Sequence, residues 1–281
     1  MTRLAIIIVS YNTRQDLEAC LASLRRNPPV ISSEVVVVDN ASSDGSADAA
    51  RAGGARVLEM GRNAGFSAAN NAGIRASSGD LVLLLNSDTI VPAGAVDRLV
   101  ERLEATGATV AGPRIVDGAG RAEISFGRMI TPLNELRQKR LMRDYEAGRG
   151  AVVARVEAAS RREQLVDWVT GACLLVRRAE AEAAGLFDER FFLYTEDVDF
   201  CAAIRKRGGR VLFTPSAEIT HLRGRSRASN PAAANDAYTR SHVAFYEKHY
   251  PLWTPFLRLY LSLQQVRGGR RPPSGERPTV R

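Results

Sequence analysis

Three unbroken apolar runs, Leu4 to Val9, Val35 to Val38 and Leu81 to Leu85, each stop abruptly at polar residues: Ser10-Tyr11-Asn12, Asp39-Asn40 and Asn86-Ser87-Asp88. Runs this short, without alternation, predict strands buried on both faces, as in a parallel sheet. Between them the apolar period becomes helical. Leu17, Cys20, Leu21 and Leu24 predict a helix ended by Pro28-Pro29, and an Ala-rich helix after Gly45 closes at Gly53-Gly54. Phe66 to Ala76 reads as another helix, and Val96, Leu99, Val100 and Leu103 as one that stops at Gly107. Ala55 to Leu58 supplies a further strand. Strands separated by helices of this length predict βαβ units and a mostly parallel sheet. Such sheets bind ligands outside the carboxyl ends of their strands, so the three polar endings are expected to share one rim.

The rhythm breaks over residues 116–165, where Asp117-Gly118-Ala119-Gly120 leads into an Arg-rich stretch of weak periodicity. A variable insert or mobile lid is expected there rather than a second core. Order returns at Val166 to Val176, a strand pair or one bent strand interrupted at Gly171. Phe187 to Phe200, dense in acids and aromatics, leads into a helix that Gly208-Gly209 closes. Arg210 to Phe213 reads as a short strand, and Ile219 to Ser226 as a loop containing His221. Beyond Pro231 an amphipathic helix is expected to reach Tyr250, followed by an aromatic-rich segment, Leu252 to Val266, and a disordered end.

Composition narrows the class. With 281 residues and 45% hydrophobic content, the chain has enough apolar mass for a substantial core. Its net charge of +8 is regional, concentrated in Arg between Arg121 and Arg162 and after Arg223, and favours anionic partners. Three cysteines, Cys20, Cys173 and Cys201, sit among apolar neighbours without metal-binding spacing, which predicts buried reduced thiols and a cytoplasmic setting. The opening apolar segment is too short for a signal-peptide core, and no run reaches the roughly 18 to 20 apolar residues needed to span a bilayer.

The polar endings carry candidate chemistry. Asp39 could accept the imide N–H of uracil or thymine, with Tyr11 against the base, or it could merely cap the following turn. Asn63-Ala-Gly65-Phe66 places small residues and an amide at a helix start, which suits a phosphate but equally suits tight helix-to-sheet packing. No G-x-G-x-x-G or G-x-x-x-x-G-K-[ST] follows a predicted strand, so dinucleotide and P-loop readings lose their main support. Asp88, with a nucleotide diphosphate, would make an oxygen-rich seat for Mg²⁺ or Mn²⁺, and His221 could complete it. Glu196, Asp197 and Asp199 crowd a helix start, where acids are also favoured by the helix dipole; one of them could act as a general base.

Taken in order, Ile7-Ile-Val-Ser-Tyr-Asn12, Val36-Val-Val-Asp39-Asn-Ala-Ser-Ser-Asp44-Gly45, Asn63-Ala-Gly-Phe-Ser-Ala-Ala-Asn-Asn-Ala-Gly73, Leu85-Asn-Ser-Asp88, Gly171-Ala-Cys, Thr195-Glu-Asp197 and His221 resemble the family 2 glycosyltransferases of GT-A fold, over roughly residues 4–225. The rhamnosyltransferase-like members match best, through the Asn-x-Gly-Phe-x-x-x-x-Asn-x-Gly segment and Glu196-Asp-Val-Asp-Phe-Cys201. The resemblance implies an α/β, Rossmann-like, mostly parallel sheet flanked by helices, with a C-terminal helical extension. Residues 1–225 would form the catalytic domain: a nucleotide-binding half (1–115), the insert (116–165) and an acceptor and catalytic half (166–225). C-terminal helices (226–266) and a disordered basic tail (267–281) would follow.

By the same resemblance Ser10, Tyr11, Asn12 and Asp39 would hold the nucleoside, and Asn63 and Gly65 the nucleotide. Asp88 and His221 would bind the divalent metal, Mg²⁺ or Mn²⁺, and Asp197 would be the catalytic base. Asn86 replaces the first acid of the family's Asp-x-Asp motif, and Arg223 would face the diphosphate. The implied reaction is an inverting transfer from a nucleotide-sugar donor, dTDP-rhamnose foremost, with a UDP- or GDP-sugar as the alternative. The acceptor would be a glycan or lipid-linked glycan; the Arg-rich insert and the aromatic-rich, basic carboxyl terminus could hold a polyprenyl-diphosphate-linked one at the inner membrane face as a peripheral contact, or Leu252 to Val266 could instead pack on the domain. A homodimer is compatible with the sequence. Sugar nucleotidyltransferases share the chemistry but open with a Gly-rich basic loop that Ser10-Tyr-Asn-Thr-Arg14 does not provide. Nucleic acid is not an expected partner, because the Arg residues are not interleaved with aromatics in a recognised motif.

Overall fold

The computed structural model describes residues 3–222 and 231–268. Its centre is the apolar strand β1 (Leu4–Ser10), paired in parallel with β2 (Ser33–Asp39) on one side and β4 (Leu81–Asn86) on the other, with β3 (Arg56–Glu59) outside β2. Successive side chains of a strand point to opposite faces. Ala5 and Ile7 accordingly enter one apolar cluster, and Leu4, Ile6 and Ile8 the other. The second cluster is covered by α1 (Arg14–Arg26), α2 (Ser46–Ala52) and α4 (Ala95–Thr106), through Leu17, Leu21, Leu24, Ala50, Leu99 and Leu103. The first is covered by α3 (Phe66–Ala76), which approaches closely: a side chain at Gly73 would meet Ile7 Cγ2 at 2.5 Å.

Beyond β4 the sheet continues through strands less legible in the sequence. Among the described residues its order is β3-β2-β1-β4-β10-β6-β11-β5, with β8 also on β11. Here β5 is Thr89–Ile90, β6 Val110–Val116, β8 Gln164–Val166, β10 Cys173–Arg177 and β11 Val211–His221. β10 runs antiparallel to both β4 and β6, so β6 and β11 regain the direction of the first four strands. β6 is wholly buried although Gly112-Pro113 interrupts its apolar run. Proline cannot donate to a ladder and is tolerated in a sheet where the pairing is irregular. Here β11 shifts register opposite it, from Thr214↔Pro113 to Glu218↔Arg114.

That bulge corrects the sequence reading of a loop from Ile219 as far as His221; residues 223–226 of that reading lie outside the described residues. β11 resumes after Pro215-Ser216, and His221 is a strand residue paired with Thr89 of β5. Within the insert, β7 (Phe126–Gly127) pairs with β9 (Trp168–Val169), and α5 (Pro132–Glu146) and α6 (Gly150–Ala159) follow. These helices lack a strong apolar stripe and are held by polar contacts: Tyr145 donates to the Ala122 carbonyl, and Glu135 meets His242 and Tyr246. α7 (Arg178–Ala183) and α8 (Glu196–Lys206) follow, then α9 (Pro231–His249), a 3₁₀ turn at Pro251–Trp253, and α10 (Thr254–Gly268). Phe245, Tyr246 and Leu257 join the first cluster, so both C-terminal helices pack on the sheet unit. All three cysteines are free and buried, and burial pushes the Cys20 thiol up to about 12.

Candidate functional site

The parallel register brings Ser10 opposite Asp39, and Val9 opposite Asn86, so the carboxyl ends of β1, β2 and β4 form one rim. Asp39 is buried; its Oδ2 accepts from the Ser42 N–H at 3.0 Å, while Oδ1 has no partner. An unsatisfied buried carboxylate oxygen is costly, and a ligand N–H would relieve it. Asn86 Oδ1 is likewise buried without a partner. Tyr11 is exposed beside this rim.

The other expected donor residues are engaged in building the rim. Ser10 is fully buried, its hydroxyl on Thr13 at 3.0 Å, and Thr13 donates on to Ser87. Asn12, with φ of 52°, receives the Ser43 N–H and gives its own N–H to Ser42. Asn63 Oδ1 accepts from Asn40 Nδ2 at 2.9 Å and from the Gly65 N–H at 3.1 Å. Gly65, with φ of 89°, lies against the backbone of Phe192, where an added Cβ would come within 2.6 Å of the Phe192 carbonyl oxygen. The adjacent Phe66 N–H donates to that same carbonyl. The contacts of this segment within the chain are those of close packing. Arg223 lies outside the described residues.

The end of β11 supplies the rest of the rim. His221 Nε2 is 3.1 Å from Asp88 Oδ1, and its Nδ1 is 3.2 Å from Glu123 Oε2. Burial works against the charged imidazole, but the hydrogen bonds and charges of Asp88 and Glu123 outweigh it and raise its pKa to about 9. Glu123 had no signal in sequence. It sits in the insert, tied to the sheet by its N–H on the Ile115 carbonyl and by the Val116↔Ala122 bridge.

The pair fits a small divalent cation. Octahedral ligands at about 2.0–2.1 Å from Mg²⁺ lie about 3 Å from one another, and a carboxylate on the far ring nitrogen is the usual partner of a metal-binding histidine. Among the described residues no three His, Cys, Asp or Glu side chains form a cage. Two protein ligands completed by phosphate and water oxygens are what such ions commonly take.

The acids are grouped at the start of α8. Tyr194 and Thr195 both have positive φ, 71° and 63°, unusual for side-chain-bearing residues and costly unless surroundings enforce them. Ser67 Oγ donates to the Phe191 carbonyl and Ser241 Oγ to that of Leu193, which clamps the approach. Asp197 Oδ2 then accepts the Gly171 N–H at 2.9 Å, and its Oδ1 accepts the Val198 N–H at 2.8 Å. Burial and the neighbouring Asp197 charge lift the Glu196 carboxyl well above the usual carboxylate range. Asp197 is also raised by burial, against the pull of the Gly171 and Val198 amides, and is the better placed of the two to carry charge. Asp199 is committed to structure, bound by Lys248 and His249 of α9.

A parallel core sheet joined by antiparallel β10, with β5 and β8 antiparallel on β11, and with polar groups gathered at the carboxyl ends of β1, β2 and β4, has GT-A architecture. The fold is that of a mannosyltransferase from Pyrobaculum calidifontis solved with GDP-Man and Mn²⁺: TM-score 0.60 at 18% identity, covering 92% of this chain and 68% of that one. The chain belongs to the family described as Glycosyl transferase family 2, which matches residues 5–166, and it is a glycosyltransferase of the rhamnosyltransferase-like subgroup. It is 32% identical over 274 residues to the N-acetylglucosaminyl-diphospho-decaprenol L-rhamnosyltransferase of Mycobacterium tuberculosis, covering 91% of this chain and 88% of that protein. It is 27% identical over 207 residues to the low-salt glycan biosynthesis hexosyltransferase Agl10 of Haloferax volcanii, covering 72% and 62%.

Proposed function

We propose that this protein is an inverting, divalent-metal-dependent glycosyltransferase that moves L-rhamnose from dTDP-rhamnose to a hydroxyl of a GlcNAc-bearing, polyprenyl-diphosphate-linked acceptor. The observation that carries the metal-dependent donor reading is the contact of Asp88 with His221, backed by Glu123, on the same rim as the unpartnered Asp39 oxygen. The sugar and acceptor rest on the name of the mycobacterial relative.

In this reading Asp39 Oδ1 accepts the imide N–H of the base and Tyr11 lies against the ring. Ser10, Asn12 and Asn63 act by fixing the loops around the nucleotide. Asp88 and His221 would hold Mg²⁺ or Mn²⁺, with Glu123 orienting the imidazole; the bound ion would offset charge growing on the leaving diphosphate. Asp197 takes the acceptor hydroxyl proton as that oxygen bonds to the anomeric carbon. The bond from that carbon to the diphosphate oxygen breaks, and the nucleoside diphosphate departs with the electron pair. Attack opposite the leaving group inverts the anomeric centre. The reaction would take place on the cytoplasmic side, with the C-terminal segment touching the membrane that carries the acceptor.

The test is a binding and hydrolysis panel of dTDP-, UDP- and GDP-sugars with Mn²⁺ or Mg²⁺, repeated after EDTA. Selective, metal-dependent binding of dTDP-rhamnose is expected. Preference for a UDP- or GDP-sugar would replace the donor, and EDTA-insensitive binding would remove the metal assignment.

A further inference from the structure

The outermost surface of α10 is apolar where a free helix face would be polar. Phe256, Leu259, Tyr260 and Leu263 recur at i, i+3, i+4 and i+7, and the first two are 66% and 60% exposed. The opposite side of the helix is already occupied, since Leu257 and Leu261 pack on the sheet unit. A second apolar exposure adjoins it. On α5, Leu133 and Leu136 are 70% and 66% exposed. Glu135, between them in sequence, turns inward to Tyr246 and His242 of α9. The two surfaces meet where Lys139 Nζ lies 5.9 Å from the Tyr260 ring centroid. Neighbouring exposed apolar side chains, unlike single scattered ones, mark an interaction site.

Its surroundings are basic. Arg137, Arg140 and Arg143 follow the two leucines along α5, all exposed. The buried Asp144 carboxylate faces three guanidinium groups, those of Arg140, Arg143 and Arg149, and so leaves positive charge over. From Arg267 to Arg281 the chain adds five Arg against a single acid, Glu276. A second copy of this surface would bring like charges together. An apolar face rimmed by Arg instead matches the boundary of an anionic bilayer, on which such a helix lies flat. No described helix is long and apolar enough to cross one.

We propose that α5 of the insert and α10 together form a platform that docks on the surface of an anionic lipid bilayer. This extends the membrane contact proposed for the C-terminal segment: the insert supplies the second half of the anchor. Because α5 is tied through Glu135 to α9, and α9 through Lys248 and His249 to α8, the platform has a fixed position relative to the acids. The bilayer would thereby set the distance at which a lipid-linked hydroxyl reaches Asp197.

The test is flotation of the full chain with vesicles of phosphatidylcholine alone and of phosphatidylcholine mixed with phosphatidylglycerol, at low and high salt. Two double variants at exposed positions are compared, Leu133→Gln with Leu136→Gln and Phe256→Ser with Leu259→Ser, each checked for unchanged cooperative thermal unfolding. The parent chain is expected to float with the anionic vesicles and to lose this at high salt. Each double variant is expected to partition roughly tenfold less or weaker still. Loss in the α10 variant alone would overturn the platform while leaving the C-terminal contact standing. Absence of flotation by the parent chain would overturn both. A dimer in vesicle-free solution that either variant dissolves, without flotation, would assign the face to a second copy. Nucleotide-sugar binding is measured separately, so failure of the donor reading leaves these outcomes unaffected.

Discussion

Asp197 and Glu196 stand next to each other and differ in what reaches them. Asp197 is held by two backbone amides, from Gly171 and Val198, whereas Glu196 Oε2 is buried without a partner. A base needs an anionic form and a pKa raised toward working pH, which favours Asp197. Asp197→Asn is therefore expected to lower transfer by about 10²- to 10⁴-fold with donor affinity unchanged by calorimetry; near-normal turnover would take the base role from it. In the proposed metal site Glu123 would act through the His221 ring, on the nitrogen opposite Asp88. Glu123→Gln is expected to weaken Mn²⁺-dependent binding of the nucleoside diphosphate about 10- to 100-fold, read by calorimetry or by the Mn²⁺ spin-resonance signal. Equal affinity would reduce Glu123 to a packing group. Asp197 was singled out from the acids of its helix start by the family resemblance, whereas Asp39 and Asp88 were legible in sequence because each follows an unbroken apolar run. Glu123 was not, because its value lies in the register that sets it 98 residues from His221 in sequence and 3.2 Å in space.

At the scale of elements, periodicity located what burial shapes and missed what polar contacts shape. Leu17 to Leu24 and Leu99 to Leu103 announce α1 and α4 because their apolar faces cover the sheet. α5 carries no comparable stripe, since Glu135, not an apolar residue, joins it to α9. That attachment is pH-sensitive in a calculable direction. Burial alone would raise the Glu135 pKa, but hydrogen bonds from His242, Lys139 and Tyr246 bring it from 4.5 down to about 2. A depressed carboxylate contributes stability that is present above the unfolded pKa and lost as pH falls through the folded one. The contribution should fade between about pH 4.5 and 2. In urea titrations the gap between the parent chain and Glu135→Gln should be constant above that window and close within it. A gap independent of pH throughout would mean that the helix is not held by this charge.

For the whole molecule, the sequence determined the α/β class, the parallel core strands and the rim on which chemistry sits. Short uninterrupted apolar runs can be buried in few ways, and parallel strands present their carboxyl ends together. It also determined the basic, aromatic-rich character of the carboxyl end. Only the tertiary structure decided that β10 reverses between β4 and β6 and that the bulge opposite Pro113 lets β11 continue to His221. Only there did Glu123 meet His221 and Lys139 come to lie over the Tyr260 ring. Those outcomes depend on pairing between segments distant in the chain, and on one-residue register steps that turn a side chain from one face to the other. Local pattern carries no record of such steps, because the apolar period on either side of a bulge reads the same whether or not the strand resumes.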